Sequence, residues 1–177
     1  MSTSKMFFAG SGGQGVLLMG QMVCSAAIME DKAVTFFPSY GPEMRGGTAN
    51  CTVIVSDKPI SSPLIFEADV VVSMTLPSML KFEPMLKPGG ILLLNSSLIR
   101  QAPKRSDITV YEVPTMDLAQ ELGDSRAANI VMLGAFVRTT GIVTPENAEK
   151  VIREIFGAKK AELIDFELKA FNCWEKR

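Results

Sequence analysis

The sequence contains no histidine among its 177 residues. That removes the commonest general base, and with it the serine and cysteine triads that depend on an imidazole. Cysteine is scarce: Cys24, Cys51 and Cys173 are far apart and form no CxxC pair. An iron–sulfur cluster or a structural zinc needs about four protein ligands, so this chain alone can build neither. The cysteines read instead as small buried hydrophobes. Charge of one sign is also lacking, with 18 basic residues against 19 acidic ones. Such a balance provides no electrostatic footprint for nucleic acid or for an anionic membrane. The longest apolar stretch, Val16 to Met29, is interrupted by Gln21 and Ser25 and is too short to span a bilayer. Free thiols and an N-terminus that enters a strand at once, with no signal peptide, make the cytoplasm the expected location.

What is present is a dense supply of core. The chain is 47% hydrophobic, which suits one domain spanning residues 1–177. Its mean hydropathy is positive. Either the core is unusually full or apolar surface is covered in a larger assembly.

Short runs of β-branched residues and leucine predict buried strands at Lys5–Ala9, Ala33–Phe37, Ala49–Ser56, Asp69–Met74, Ile91–Asn95 and Ile108–Val113. Pro38 is expected to stop the second strand. Helices are predicted over Gln14–Asp31, Leu76–Leu86, Thr115–Leu122 with Thr115 as N-cap and Gly123 as its stop, Arg126–Thr140 ended by Gly141, from Thr144-Pro145-Glu146 onward, and over Glu162–Glu175. The first and fourth of these are apolar nearly all round, so each should be covered on more than one side. Continuous rather than alternating apolar strands, interleaved with helices, indicate an α/β class. The expected architecture is a three-layer α/β/α, Rossmann-like single domain. Its sheet is mostly parallel, and the hairpin-like spacing between Phe37 and Ser56 allows one antiparallel strand.

Two glycine-rich stretches stand out. Phe8-Ala9-Gly10-Ser11-Gly12-Gly13-Gln14-Gly15-Val16 fits GxGxxG between a strand and a helix, the context that motif needs. Glycines allow close backbone approach to a diphosphate, and the helix start offers free N–H groups and a positive dipole end. The charges agree: the first turn of the helix has no acid, whereas Glu30 and Asp31 lie at its far end. The remainder of the dinucleotide fingerprint is missing. The tip of the second strand, Phe37-Pro38-Ser39-Tyr40, carries no ribose-binding acid, and no GK[ST] follows the glycines. A packed strand–helix turn without ligand, a site for a phosphate group other than NAD, and a dinucleotide site therefore stay open.

The second stretch is Tyr40-Gly41-Pro42-Glu43-Met44-Arg45-Gly46-Gly47. It follows the second strand, so it should share the carboxyl edge of the sheet with the first loop, where open α/β folds bind ligands. Arg45 has the fork geometry for a phosphate or carboxylate, and Glu43 would orient it or act as an acid–base group. A surface turn with a weak Glu43–Arg45 pair is the alternative. Asn95-Ser96-Ser97, Thr75, Arg126 and Asn129 are further polar groups at strand or helix ends, each either a ligand contact or a local cap.

The two loops, with TANCTVIVSDKPISSPLIFEADVVVSM after them, resemble the gamma subunit of 2-oxoacid:ferredoxin oxidoreductases. The likeness covers the chain in length and order, and its first hundred residues or so in motifs. The YGPEMRGG form is most similar to the 2-oxoglutarate type; the indolepyruvate type tends to carry Gln-Arg where this chain has Met44-Arg45. The resemblance implies a share in oxidative decarboxylation, in which a 2-oxoacid, coenzyme A and oxidised ferredoxin give acyl-CoA, CO2 and reduced ferredoxin. It implies thiamine diphosphate and Mg2+ on alpha and beta subunits, and iron–sulfur clusters on beta and on a delta subunit or domain. This chain would bind none of these alone and would carry no catalytic residue. Its expected partners are the alpha, beta and delta subunits, with ferredoxin reached through the complex. Its expected contribution is assembly and a part of the coenzyme A site, formed from Gly10, Ser11, Gly12, Gly13, Gln14, Gly15, Tyr40, Glu43, Arg45 and Gly46.

Overall fold

The computed structural model describes residues 3–40, 48–157 and 161–175. Strand β1 (Thr3–Ser11) leads into helix α1 (Val16–Ile28), followed by strands β2 (Ala33–Tyr40) and β3 (Thr48–Ser56). Strand β4 (Ala68–Ser73), helix α2 (Leu76–Phe82) and strands β5 (Leu86–Asn95) and β6 (Thr109–Val113) complete the sheet. Helices α3 (Thr115–Leu122), α4 (Ala128–Thr140), α5 (Pro145–Gly157) and α6 (Ala161–Asn172) make up the C-terminal part.

The strands form one sheet in the order β2-β3-β1-β4-β5-β6. Strand β3 is antiparallel to both of its neighbours, and the β1–β4, β4–β5 and β5–β6 pairs are parallel. The sheet is thus mostly parallel and mixed, as the spacing around Phe37 to Ser56 allowed. Because β3 reverses direction twice over, β2 ends at the same edge as β1.

Alternate residues of each strand feed two cores, since side chains alternate across a strand. Met6, Phe8, Val53 and Val72 pack with α1, α3, α4, α5 and α6. Phe7, Val71 and Leu92 pack with α2 on the other face. The helices are therefore divided unevenly, with a single short helix on the second face. One aromatic pair marks each side: Phe8 lies 5.3 Å from Phe136, and Phe7 lies 4.7 Å from Phe82.

Several boundaries differ from those expected, each for a local reason. Strand β2 runs through Pro38 to Tyr40, because an edge strand can spare an N–H on its open side. Helix α2 stops at Phe82 and gives way to a 3-10 turn, Glu83–Met85, around Pro84. Strand β5 begins at Leu86, so Lys87-Pro88-Gly89-Gly90 lies inside it; Gly89 takes a φ of 75° and its N–H donates to Asp107 O at 2.7 Å. The β4–β5 register shifts between Ala68 and Val70 to absorb this irregular start. Thr115 is the first residue of α3, not its cap. The Ser97 hydroxyl instead accepts the Met116 and Asp117 N–H groups at 3.1 Å each and donates to Asp117 Oδ2 at 3.0 Å.

Burial decides the chemistry of two thiols. It pushes Cys24 up to about 11 and Cys51 up to about 12, so both are inert packing groups near neutral pH. Cys51 Sγ fills the space beside Gly20, where a Cβ would come within 2.6 Å of the sulfur. That close approach seats α1 on β3.

Candidate functional site

The β1–α1 loop is a tight turn with few adjustable parts. The Gln14 N–H donates to Ser11 O at 3.2 Å, and the Ser11 N–H donates to Gln14 Oε1 at 2.8 Å. The Gln14 side chain therefore braces the turn from within. Gly13 has a φ of 90°, and Gly15, at the N-cap of α1, has a φ of 72°. Non-glycine residues adopt that left-handed backbone only at a cost.

The glycines serve different ends. A Cβ at Gly10 would come within 2.6 Å of Gln14 Oε1 and 2.9 Å of Met74 Cβ, so Gly10 lets β1, its loop and the end of β4 close together. A Cβ at Gly15 would strike the Asn129 amide, with Cγ at 2.9 Å. Packing accounts for both. A Cβ at Gly13 would meet nothing within 4 Å, and the residue is exposed. Gly13 is required by backbone conformation alone, in a loop that faces solvent.

The loop occupies the position that α/β topology reserves for ligands. Strands β1 and β4 are adjacent and parallel, yet α1 lies on one face and α2 on the other. A crevice must open between two such connections at the carboxyl edge. Helix α1 presents its N-terminus there, with no acid in the first turn and no side-chain cap.

The second glycine stretch is anchored at the same place. Ser11 pairs with Thr48, Gly10 with Ala49, and Ala49 in turn with Tyr40. Both flanks of the 41–47 segment thus sit beside the first loop, as expected from the topology. Glu43, Arg45 and Gly46 lie outside the described residues, as does the side chain of Tyr40.

The other polar candidates divide. Thr75 caps α2 in a reciprocal box with Ser78, whose hydroxyl donates to Thr75 O at 2.7 Å while the Thr75 N–H donates back at 3.2 Å. Asn95 is fully buried, donating to Met74 O and accepting the Ser97 N–H, each at 3.2 Å. Arg126 is paired with Asp124 at 2.6 Å and its side chain is 90% exposed. Asp124 also accepts the Arg126 N–H at 2.9 Å, which caps the 3-10 turn leading into α4. These are structural roles. Asn129 alone among them has no such bond. Among the described residues, no group of three or more His, Cys, Asp or Glu side chains is placed to hold a metal ion, and no helix is long and apolar enough to cross a membrane.

Residues 5–173 match the pyruvate ferredoxin/flavodoxin oxidoreductase family. Among curated proteins, the chain is 37% identical over 167 residues to ketoisovalerate oxidoreductase subunit VorA of Methanothermobacter marburgensis, covering 93% of this chain and 34% of the relative. It spans about a third of that longer protein. It is also 35% identical over 163 residues to 2-oxoglutarate synthase subunit KorC of Methanocaldococcus jannaschii, covering 89% of this chain and 87% of the relative. Among solved structures, the gamma subunit of a keto/oxoacid ferredoxin oxidoreductase from Geobacter sulfurreducens superposes with a TM-score of 0.84 at 32% identity, covering 97% of this chain and 93% of that one. By sequence and by fold, the chain belongs to the pyruvate ferredoxin/flavodoxin oxidoreductase family and is similar along nearly its whole length to a gamma subunit of that kind.

Proposed function

We propose that this chain is the gamma subunit of a 2-oxoacid:ferredoxin oxidoreductase and supplies part of its coenzyme A site. The observation that carries this reading is the convergence of the first glycine stretch with both flanks of the second. The loop from Gly10 to Gly15 lies at the topological switch point, and Tyr40 and Thr48 fix the ends of the 41–47 segment beside it. Backbone N–H groups at Gly12, Gly13 and Gln14 and the positive end of α1 suit a diphosphate. In this reading Arg45 supplies the full charge and Glu43 orients it, and Ser11, Tyr40 and Gly46 belong to the same proposed set.

The chain's own task is binding and orientation. Thiamine diphosphate, held with Mg2+ by alpha and beta subunits, supplies the decarboxylation chemistry, and clusters on beta and delta carry electrons to ferredoxin. This chain's residues hold coenzyme A so that its thiol meets the acyl group at the neighbouring subunit. A site on a shared edge also accounts for the positive mean hydropathy, part of the apolar surface being covered by partners in a cytoplasmic complex. The Met44-Arg45 form of the second loop supports 2-oxoglutarate as the substrate.

The reading is tested by purifying the complex under anaerobic conditions through this chain and assaying coenzyme A-dependent reduction of a viologen dye. Activity highest with 2-oxoglutarate supports the full proposal, and activity highest with a branched 2-oxoacid corrects the substrate. An Arg45→Ala complex that assembles and keeps the wild-type KM for coenzyme A overturns the binding role.

A further inference from the structure

Asn129 is the unexplained group at this site. Every residue from Ala128 to Val137 of α4 is buried, and Asn129 is the only one of them with a polar side chain. It is 8% exposed. Its amide lies against Gly15, at the N-cap of α1, in the space a Cβ would occupy. No hydrogen bond is formed by that amide among the described residues, and it caps neither helix. Asp124 caps the 3-10 turn before α4, and α4 itself has no side-chain cap.

The residue is largely buried, yet its amide is not one of the fully enclosed polar groups left without a partner, so water reaches it beside Gly15 and can be exchanged there for an acceptor. The first turn of α1 provides the positive end that draws an anion to that spot.

Resting on the coenzyme A reading above, we propose that Asn129 is a ligand-contact residue that donates its amide N–H to an oxygen of the coenzyme A diphosphate. The diphosphate is the part of the ligand a glycine loop at a helix N-terminus accommodates, because only there can the backbone approach closely. Asn129 would thereby extend the nest from one helix to two, linking the loop to α4 and so to the C-terminal half of the chain.

The test uses the purified complex with Asn129→Ala and Asn129→Asp. Coenzyme A and dephospho-coenzyme A are each titrated by calorimetry without 2-oxoacid, and their KM values are measured. Dephospho-coenzyme A lacks the 3′-phosphate and keeps the diphosphate. The expected result for Asn129→Ala is an increase of about tenfold in Kd and KM for both ligands by the same factor, as for a lost bond to a charged group, with kcat retained. Asn129→Asp should weaken both ligands further while leaving thermal stability unchanged or raised, because a carboxylate is favourable in the first turn of α4. A loss confined to coenzyme A would place the contact at the 3′-phosphate and overturn the proposal. Wild-type affinity in both variants would overturn it as well. If Arg45→Ala weakens coenzyme A binding in that case, the site stands without Asn129; if it does not, the site itself is wrong.

Discussion

The two ends of α1 are built on opposite principles. At its C-terminal end almost every polar group is satisfied. Glu30 Oε1 accepts the Thr144 N–H at 2.7 Å, the Thr144 hydroxyl at 3.0 Å and the Asn147 amide at 3.2 Å, while Oε2 takes Lys32 at 2.7 Å. Lys32 also donates to Ile142 O at 2.6 Å. Burial acts to raise the Glu30 pKa, but the bonds from Lys32, Thr144 and Asn147 outweigh it and hold the group at about 2. One carboxylate thus ties the end of α1 to the start of α5. At the N-terminal end, α1 has no acid, no side-chain cap, an exposed Gly13 and an unbonded Asn129 amide. The first end spends its polar groups on stability, and the second leaves them without bonds among the described residues, as the coenzyme A reading requires.

The sharpest way to break this contrast is Gly15→Ala. The new Cβ would collide with Asn129, and the φ of 72° would be strained in any case. The expected loss is about 3 kcal/mol, the sum of left-handed strain and overpacking, read as a fall in the denaturation midpoint with coenzyme A binding impaired. A midpoint within error of wild type would show that the two helix ends can move apart.

Glu30→Ala comes next and should act at the opposite end only. A loss of about 2 kcal/mol is expected from the released donors, with KM for coenzyme A unchanged. Its pH dependence follows from the depressed pKa. The unfolded chain takes up the proton nearer the ordinary value of 4.5, so the stabilisation is complete above that pH and disappears as pH falls towards about 2. Unfolding of wild type and variant should therefore differ at pH 7 and converge near pH 2. A difference that persists at pH 2 would mean that packing, rather than the charge, holds the joint.

Gly13→Ala gives the smallest effect on stability and sharpens the comparison most. With open space around it, only the φ of 90° is penalised, at about 1 kcal/mol. Because the reading above puts the Gly13 N–H in the diphosphate nest, affinity for coenzyme A should fall by more than the stability change implies. Equal changes in the two would reduce Gly13 to a turn residue.

Much of this was legible along the chain. The alternation of apolar strands and helices indicated the α/β class, and Gly123 and Gly141 end their helices in left-handed conformations at the positions expected. Pro38 misled, because whether proline ends a strand depends on whether that strand lies at a sheet edge. Thr115 misled similarly: its cap comes from Ser97, across a connection whose path no local pattern reveals. Of the glycine loop, the sequence showed a GxGxxG turn between strand and helix, with a bound anion and a packed turn both open. It did not show that Gly10 and Gly15 are required by Met74 and Asn129, since those contacts join residues far apart in the chain.

The sequence by itself determined the fold class, the positions of the two glycine stretches and the inability of this chain to hold a cluster alone, because composition and local backbone preference suffice for these. Only the tertiary structure decided that the flanks of the second stretch meet the first at one edge and that Asn129 faces the first of them. Those facts depend on strand order, on the reversed β3 and on the approach of α4 to α1, which arise from packing between distant segments and not from any residue's own preference.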